Sequence, residues 1–259
     1  MISVEETLQA NKDSGRGSLI GYYPAGFPTV QDSVDALVAM AENGCDVLEI
    51  GVPYSDPVMD GLVIQQATEL ARENGFGLSD LFEVIRAVRA KVETPLLVMS
   101  YWNPVLAYGV ERFAKDLADA GAQGLITPDL VPDEAGKWIE TAKDMNLDRV
   151  FLVAPSSSDK RIVDNSGASK GFVYSVSTMG ITGERANLDK LAKQLVARVK
   201  DLSTQLTCVG VGISTPVQVR EVNEYADGAI VGTAFVKAYQ QSGLAGLVSK
   251  TKELATGLG

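Results

Sequence analysis

Eight short runs rich in β-branched and other apolar residues recur along the whole chain, at 18–23, 46–52, 95–101, 124–128, 149–154, 171–177, 207–212 and 229–233. Between them the apolar spacing changes from the near-continuous pattern of a strand buried on both faces to helical periodicity. Val34, Leu37, Val38 and Ala41 fall at i, i+3, i+4 and i+7, as do Ala135, Trp138, Ile139 and Ala142. Leu81, Phe82, Ile85 and Val88 make another stripe, and Leu188, Leu191, Leu195 and Val199 a fourth. Strands separated by helices pair in parallel, and eight such units in 259 residues predict a closed (β/α)8 barrel. A doubly wound open sheet is the structural runner-up. No linker or shift of composition divides the chain, so residues 1–259 read as one barrel domain. Asp133-Glu134 and Ser214-Thr215-Pro216 mark helix starts. Residues 4–10 are short and amphipathic and can cap the barrel bottom, the alternative being a frayed terminus, and residues 235–241 predict a short extra helix on the C-terminal face.

Such a barrel carries its active site in the loops that follow the strands. The chain contains no histidine, so proton transfer near neutral pH falls to carboxylates, Lys, Tyr or Cys. A net charge of −10 argues against nucleic acid or an anionic membrane as a partner, since both need basic surfaces. No apolar run approaches the roughly 20 residues that span a bilayer. The first residues, MISVEETLQANKD, lack the basic and apolar regions of a secretory signal. Cys45 and Cys208 have no metal-ligand spacing, which fits a reduced, cytoplasmic setting.

Residues 48–61, LEIGVPYSDPVMDG, hold the strongest chemical signal. Glu49 stands alone among Val47, Leu48, Ile50 and Val52, and burying a charge is costly unless it is paired or kept for chemistry. Asp60 closes the loop that follows, where Pro53 and Pro57 restrict the backbone. The competing readings are a satisfied buried acid for Glu49 and an ordinary turn or N-cap for Asp60. Glycine-rich segments at 178–183 (TMGITG), 210–214 (GVGIS) and 232–233 follow the last three runs. Backbone N–H groups there, with a helix N-terminus, suit a phosphate. Tyr22, Tyr101 and Tyr174 fall near run ends, where they can wall a flat apolar pocket or simply pack.

Other mechanisms lack their residues. A Schiff-base lyase needs a lysine within a strand, and Lys170 lies before the sixth run, at the wrong end. Histidine metal ligands are absent, leaving only carboxylate magnesium sites, and no GxGxxG follows the first run. Cofactor-free acid–base chemistry remains, on a phosphorylated substrate that supplies its own electron sink.

The 48–61 motif, with YYPAGFP, YWNP at 101–104, TPDLVP at 127–132, STMGITG at 177–183 and GVGIST at 210–215, resembles the tryptophan synthase α-subunit family. The resemblance implies a (β/α)8 lyase cleaving indole-3-glycerol phosphate to indole and glyceraldehyde 3-phosphate. It implies no cofactor in this chain, pyridoxal phosphate being held by a β subunit that receives the indole in an α2β2 complex. It casts Glu49 as the proton shuttle and Asp60 as the acceptor of the indole N–H. Gly183, Gly212, Gly232 and Thr233 would hold the phosphate, Tyr22, Tyr101 and Tyr174 the indole. Thr182 would position Asp60 on loop closure, and Asp56 would face the β subunit. Leu62, Thr178 and Thr233 depart from residues common in the family (Pro, Arg and Ser). A stand-alone lyase, a phosphate-binding barrel isomerase and a non-catalytic partner scaffold are the alternatives.

Overall fold

The computed structural model describes residues 2–176, 185–210 and 212–259, with the backbone alone described over 185–189. The strands are β1 (Leu19–Pro24), β2 (Val47–Gly51), β3 (Leu96–Met99), β4 (Gly124–Ile126), β5 (Asp148–Val150), β6 (Leu152–Val153), β7 (Val173–Val176), β8 (Thr207–Gly210) and β9 (Gly228–Val231). The helices are α1 (Val4–Asp13), α2 (Val30–Glu42), α3 (Leu62–Glu73), α4 (Leu78–Arg89), α5 (Trp102–Tyr108) and α6 (Val110–Ala120). They continue as α7 (Gly136–Asp144), α8 (Asp159–Ala168), α9 (Arg185–Leu202), α10 (Pro216–Asn223) and α11 (Thr233–Ala255).

All the strands named lie in one sheet of order β5-β4-β3-β2-β1-β9-β8-β7-β6, and every pairing between them is parallel. The two end strands are successive pieces of one strand, interrupted only at Phe151, so the sheet returns on itself. This is the (β/α)8 barrel, and the sequential neighbour order rules out the doubly wound runner-up, whose order reverses about its first strands.

Two cores follow from the pleat. Side chains such as Leu48, Ile50 and Val98 point outward and pack under the helices with Phe113 and Trp138. Ile20, Val47, Leu97, Ile126, Val150, Phe172, Cys208 and Ile230 point inward and fill the barrel's lower half. Val4 and Leu8 of α1, both fully buried, join that inner layer, so α1 plugs the bottom as its amphipathic pattern predicts. A Ser3/Glu6 capping box starts α1, and a Lys12–Asp227 ion pair of 2.9 Å holds its far end. Asp46 and Asp227 accept the first N–H groups of neighbouring strands, Leu19 and Thr207, at 2.9 Å each. Lys170 pairs with Asp148 at 3.2 Å at this same lower end, away from the mouth.

Thr215 caps α10 with Pro216 in its first turn, as the sequence signals. α5 and a 3-10 turn at Pro132–Glu134 are short helical pieces following β3 and β4. The short helix expected over 235–241 differs: it is the first leg of α11, which breaks at Ser242 and Gly243 (φ 60°) and resumes to Ala255. The second leg is held because Leu247, Thr251 and Leu254 are buried. Among the described residues no helix is long and apolar enough to cross a membrane.

Candidate active site

Moving two residues along each strand from the inner layer, one full period of the pleat, reaches the next inward-facing ring. That ring is Tyr22, Glu49, Met99, Pro128, Leu152, Tyr174, Gly210 and Gly232. Seven of the eight line a cavity of about 240 Å³ that opens at the C-terminal ends of the strands. The eighth, Glu49, does not reach the cavity surface and is fully buried. Its strand neighbour in register is Tyr22. Neither carboxylate oxygen of Glu49 has a hydrogen-bond partner among the described residues. Burial alone raises its pKa from 4.5 to about 8, so the carboxyl is protonated at neutral pH. The satisfied-acid reading of Glu49 therefore fails.

Asp60 lines the same cavity from the loop between β2 and α3. It does not cap α3, because Gly61 is the N-cap residue. The loop is tied by Asp60 N–H to the Pro57 carbonyl (3.0 Å) and by Gln65 Nε2 to the Asp60 carbonyl (2.8 Å). Burial pushes the Asp60 carboxyl up to about 6, and a hydrogen bond from the Tyr101 hydroxyl pulls against that rise. Burial thus raises both carboxyls, Glu49 further than Asp60.

The three tyrosines part company. Tyr22 and Tyr174 line the cavity, and glycines make room for their hydroxyls. A Cβ on Gly51 would lie 2.1 Å from Tyr22 Oη, and one on Gly210 would lie 2.7 Å from Tyr174 Oη. Tyr101 is not part of the cavity lining. β3 ends at Met99, and Tyr101 is the N-cap of α5, with its hydroxyl accepting the Met59 N–H at 2.8 Å.

Gly212, Gly232 and Thr233 also line the cavity. Gly212 takes φ 72°, a left-handed conformation that favours glycine. Gly232 precedes the first turn of α11, where no side chain caps the helix. The end of a helix without such a cap offers N–H groups and a positive dipole to an anion. Thr182, Gly183 and Thr178 lie outside the described residues. Asp56 is exposed on the Asp60 loop, its carboxylate accepting the Ser55 hydroxyl at 2.5 Å, and exposed Val58 and Leu62 flank it. Leu62 is the first residue of α3, a position where proline is readily accommodated. Among the described residues no cluster of His, Cys, Asp and Glu could hold a metal ion. Met99, Pro128 and Leu152 complete the ring without having been singled out by sequence, although the two-residue step from the inner layer points to each. Met59, Ile64 and Ile213 come from loops and α3, where no periodicity marks them.

Comparisons with known proteins agree with this geometry. The sequence model of the family described as tryptophan synthase alpha chain matches residues 8–257. The tryptophan synthase alpha chain of Leifsonia xyli subsp. xyli is 54% identical, over 99% of this chain and 98% of that one. That of Mycobacterium intracellulare is 50% identical, over 95% and 91%. Among solved structures, Mycobacterium tuberculosis tryptophan synthase in space group F222 superposes with a TM-score of 0.94 at 46% identity, covering 100% of this chain and 99% of that one. The tryptophan synthase A-subunit of Pyrococcus furiosus gives 0.85 at 33% identity, covering 92% and 98%.

Proposed function

The chain belongs to the tryptophan synthase alpha chain family, and from that membership we propose how its own side chains carry the reaction. As an alpha chain it is a carbon–carbon lyase that cleaves indole-3-glycerol phosphate to indole within tryptophan synthase. Residues 1–259 act as one cytoplasmic catalytic domain without a cofactor of its own. The pyridoxal phosphate belongs to the β subunit, which takes the indole in an α2β2 assembly. The loop carrying exposed Asp56 and Val58, with exposed Leu62 at the start of α3, suits that contact.

Glu49 begins the cycle protonated and gives its proton to C3 of the indole ring. The ring nitrogen becomes positive, and the Asp60 carboxylate, accepting its N–H, offsets that charge. Glu49, now a carboxylate, removes the proton of the side-chain hydroxyl next to C3. The carbon–carbon bond breaks, its electron pair restores the aromatic ring, and glyceraldehyde 3-phosphate is released with Glu49 reprotonated. Backbone groups at Gly212, Gly232 and Thr233 hold the phosphate, joined by Gly183, and Thr182 positions Asp60. Tyr22 and Tyr174 flank the indole.

The observation that carries this reading is a fully buried, unpartnered carboxyl, its pKa raised by burial to about 8, beside the cavity that Asp60 lines. Indole release by the wild type, Glu49→Gln and Asp60→Asn tests it. Glu49→Gln, folded by circular dichroism, loses roughly a thousandfold or more in kcat, the scale of general acid–base catalysis. Asp60→Asn loses less, because its amide still meets the ring nitrogen without offsetting charge. An active Glu49→Gln enzyme would overturn the assignment.

A further inference from the structure

Tyr101 ends the third apolar run, and its hydroxyl faces the loop between β2 and α3. That hydroxyl accepts the Met59 N–H at 2.8 Å and lies beside the Asp60 carboxyl, which it draws toward the anion. One oxygen therefore holds Met59 and faces the next residue of the loop, and Tyr101 is only 6% exposed. Its own position is fixed from two sides. The Tyr54 ring packs on it with centroids 5.3 Å apart, and the next residue, Trp102, gives its N–H to Asp129 Oδ1 at 2.9 Å. The loops after β2, β3 and β4 are thereby linked through Tyr101 and its neighbour to Asp60.

We propose that Tyr101 is a positioning residue, a strut whose hydroxyl ties the Met59 amide to the Asp60 carboxylate and holds that carboxylate, in its ionised form, over the cavity. The proposal rests on the assignment of Asp60 made above. A phenol that accepts from an amide has its proton free to donate, and only an ionised Asp60 presents an acceptor with no proton to compete. The ionisable groups facing Asp60 from the packed elements are Tyr101, Tyr22 and Tyr174, with Glu49 facing Tyr22 and Tyr174 and Asp129 facing Tyr101. Tyr101 is the one whose hydrogen bond favours the anion. Without it burial acts on Asp60 unopposed.

Tyr101→Phe keeps the ring against Tyr54 and removes the oxygen. The expected result is a loss of roughly tenfold to a hundredfold in kcat/KM near neutral pH, the worth of a hydrogen bond to a charged group. The acid limb of the pH–rate profile moves to higher pH, so the deficit narrows as the solution becomes alkaline. A 13C titration of the Asp60 carboxyl shows the same upward move without reference to activity. In an Asp60→Asn background, Tyr101→Phe adds little, since its route to the reaction is already gone. A strut that merely stabilised the fold would lower activity equally at every pH and would cost as much in that background, and either result overturns the proposal. Wild-type kcat/KM in Tyr101→Phe overturns it as well, while a crippled Asp60→Asn leaves the site assignment standing. A fully active Asp60→Asn removes both.

Discussion

Replacing Glu49 by Gln changes how stability depends on pH, by an amount that the burial of Glu49 sets. The carboxyl has an ordinary pKa of 4.5 in the unfolded chain and about 8 in the fold, because burial disfavours its charge. Between those values the native state holds a proton that the unfolded state lacks, so stability falls as pH rises. The slope is about 1.4 kcal/mol per pH unit, and the whole interval is worth about 5 kcal/mol. Below about pH 4 both states hold the proton, and above about pH 8 both have lost it, so the slope vanishes at either end. Glutamine matches glutamate in volume and is equally without a partner in this site, but it does not titrate. Its desolvation cost is a constant offset, and every other titrating group is common to both proteins. The stability of Glu49→Gln minus that of the wild type therefore increases by about 3 kcal/mol between about pH 5 and about pH 7. Urea unfolding at matched pH values, with equal m-values, measures the difference directly. A difference independent of pH would mean that Glu49 titrates as it does in the unfolded chain. It would then be ionised at neutral pH, and its role as the proton donor to the indole ring would be lost with it.

The same two carboxyls shape the rate. kcat/KM should follow a bell with an acid limb at about 6, where Asp60 must lose its proton, and an alkaline limb at about 8, where Glu49 must keep its own. Measured across pH for wild type and Asp60→Asn, the acid limb should vanish in the variant, and its persistence would refute the assignment. Gly51→Ala places a Cβ 2.1 Å from Tyr22 Oη, so the ring must shift against Gly232 on its other flank. The expected cost is about 1–3 kcal/mol of stability together with a raised KM, read from thermal denaturation and steady-state kinetics, and wild-type values for both would refute the packing argument.

The parts of the fold legible in the sequence are those where a local rule and the global architecture agree. Near-continuous apolar runs gave way to helical stripes along the barrel, and residues 4–10 were legible as amphipathic, with the burial of Val4 and Leu8 deciding for a cap over a frayed terminus. Glu49 was legible for the opposite reason, because an acid in an apolar strand contradicts its surroundings and such contradictions gather at functional sites. Tyr101 was read as a pocket wall because it ends an apolar run, and its bond to the Met59 N–H carried no mark in the sequence. The strand stops two residues earlier at Met99, and Tyr101 is the N-cap of α5. The second leg of α11 had no reading in the sequence; the helix breaks at Ser242 and Gly243, and burial of Leu247 and Leu254 holds its continuation. Phe151, which interrupts the strand between β5 and β6, carries no mark in the sequence at all. Met59 and Ile213 enter the cavity from loops, where side-chain direction follows the turn and not a period.

Depth explains how two carboxyls of nearly the same chemistry take different roles. Both are pushed upward by burial, but Glu49 lies beneath the cavity with no donor, and Asp60 stands at its lip with one from Tyr101. The pair is thereby split by about two pH units, enough for one to be an acid and the other an anion at the same pH. The split costs the fold stability whenever the solution turns alkaline, since Glu49 must then charge in a dry site or the chain must open. A hydrogen-bond donor built next to Glu49 would recover that stability and bring its pKa down toward that of Asp60. It would also leave the indole ring without a proton donor. The unpartnered carboxyl is thus a chemical requirement of the barrel's second ring, and the glycines at 51, 210 and 232 keep that ring open around it.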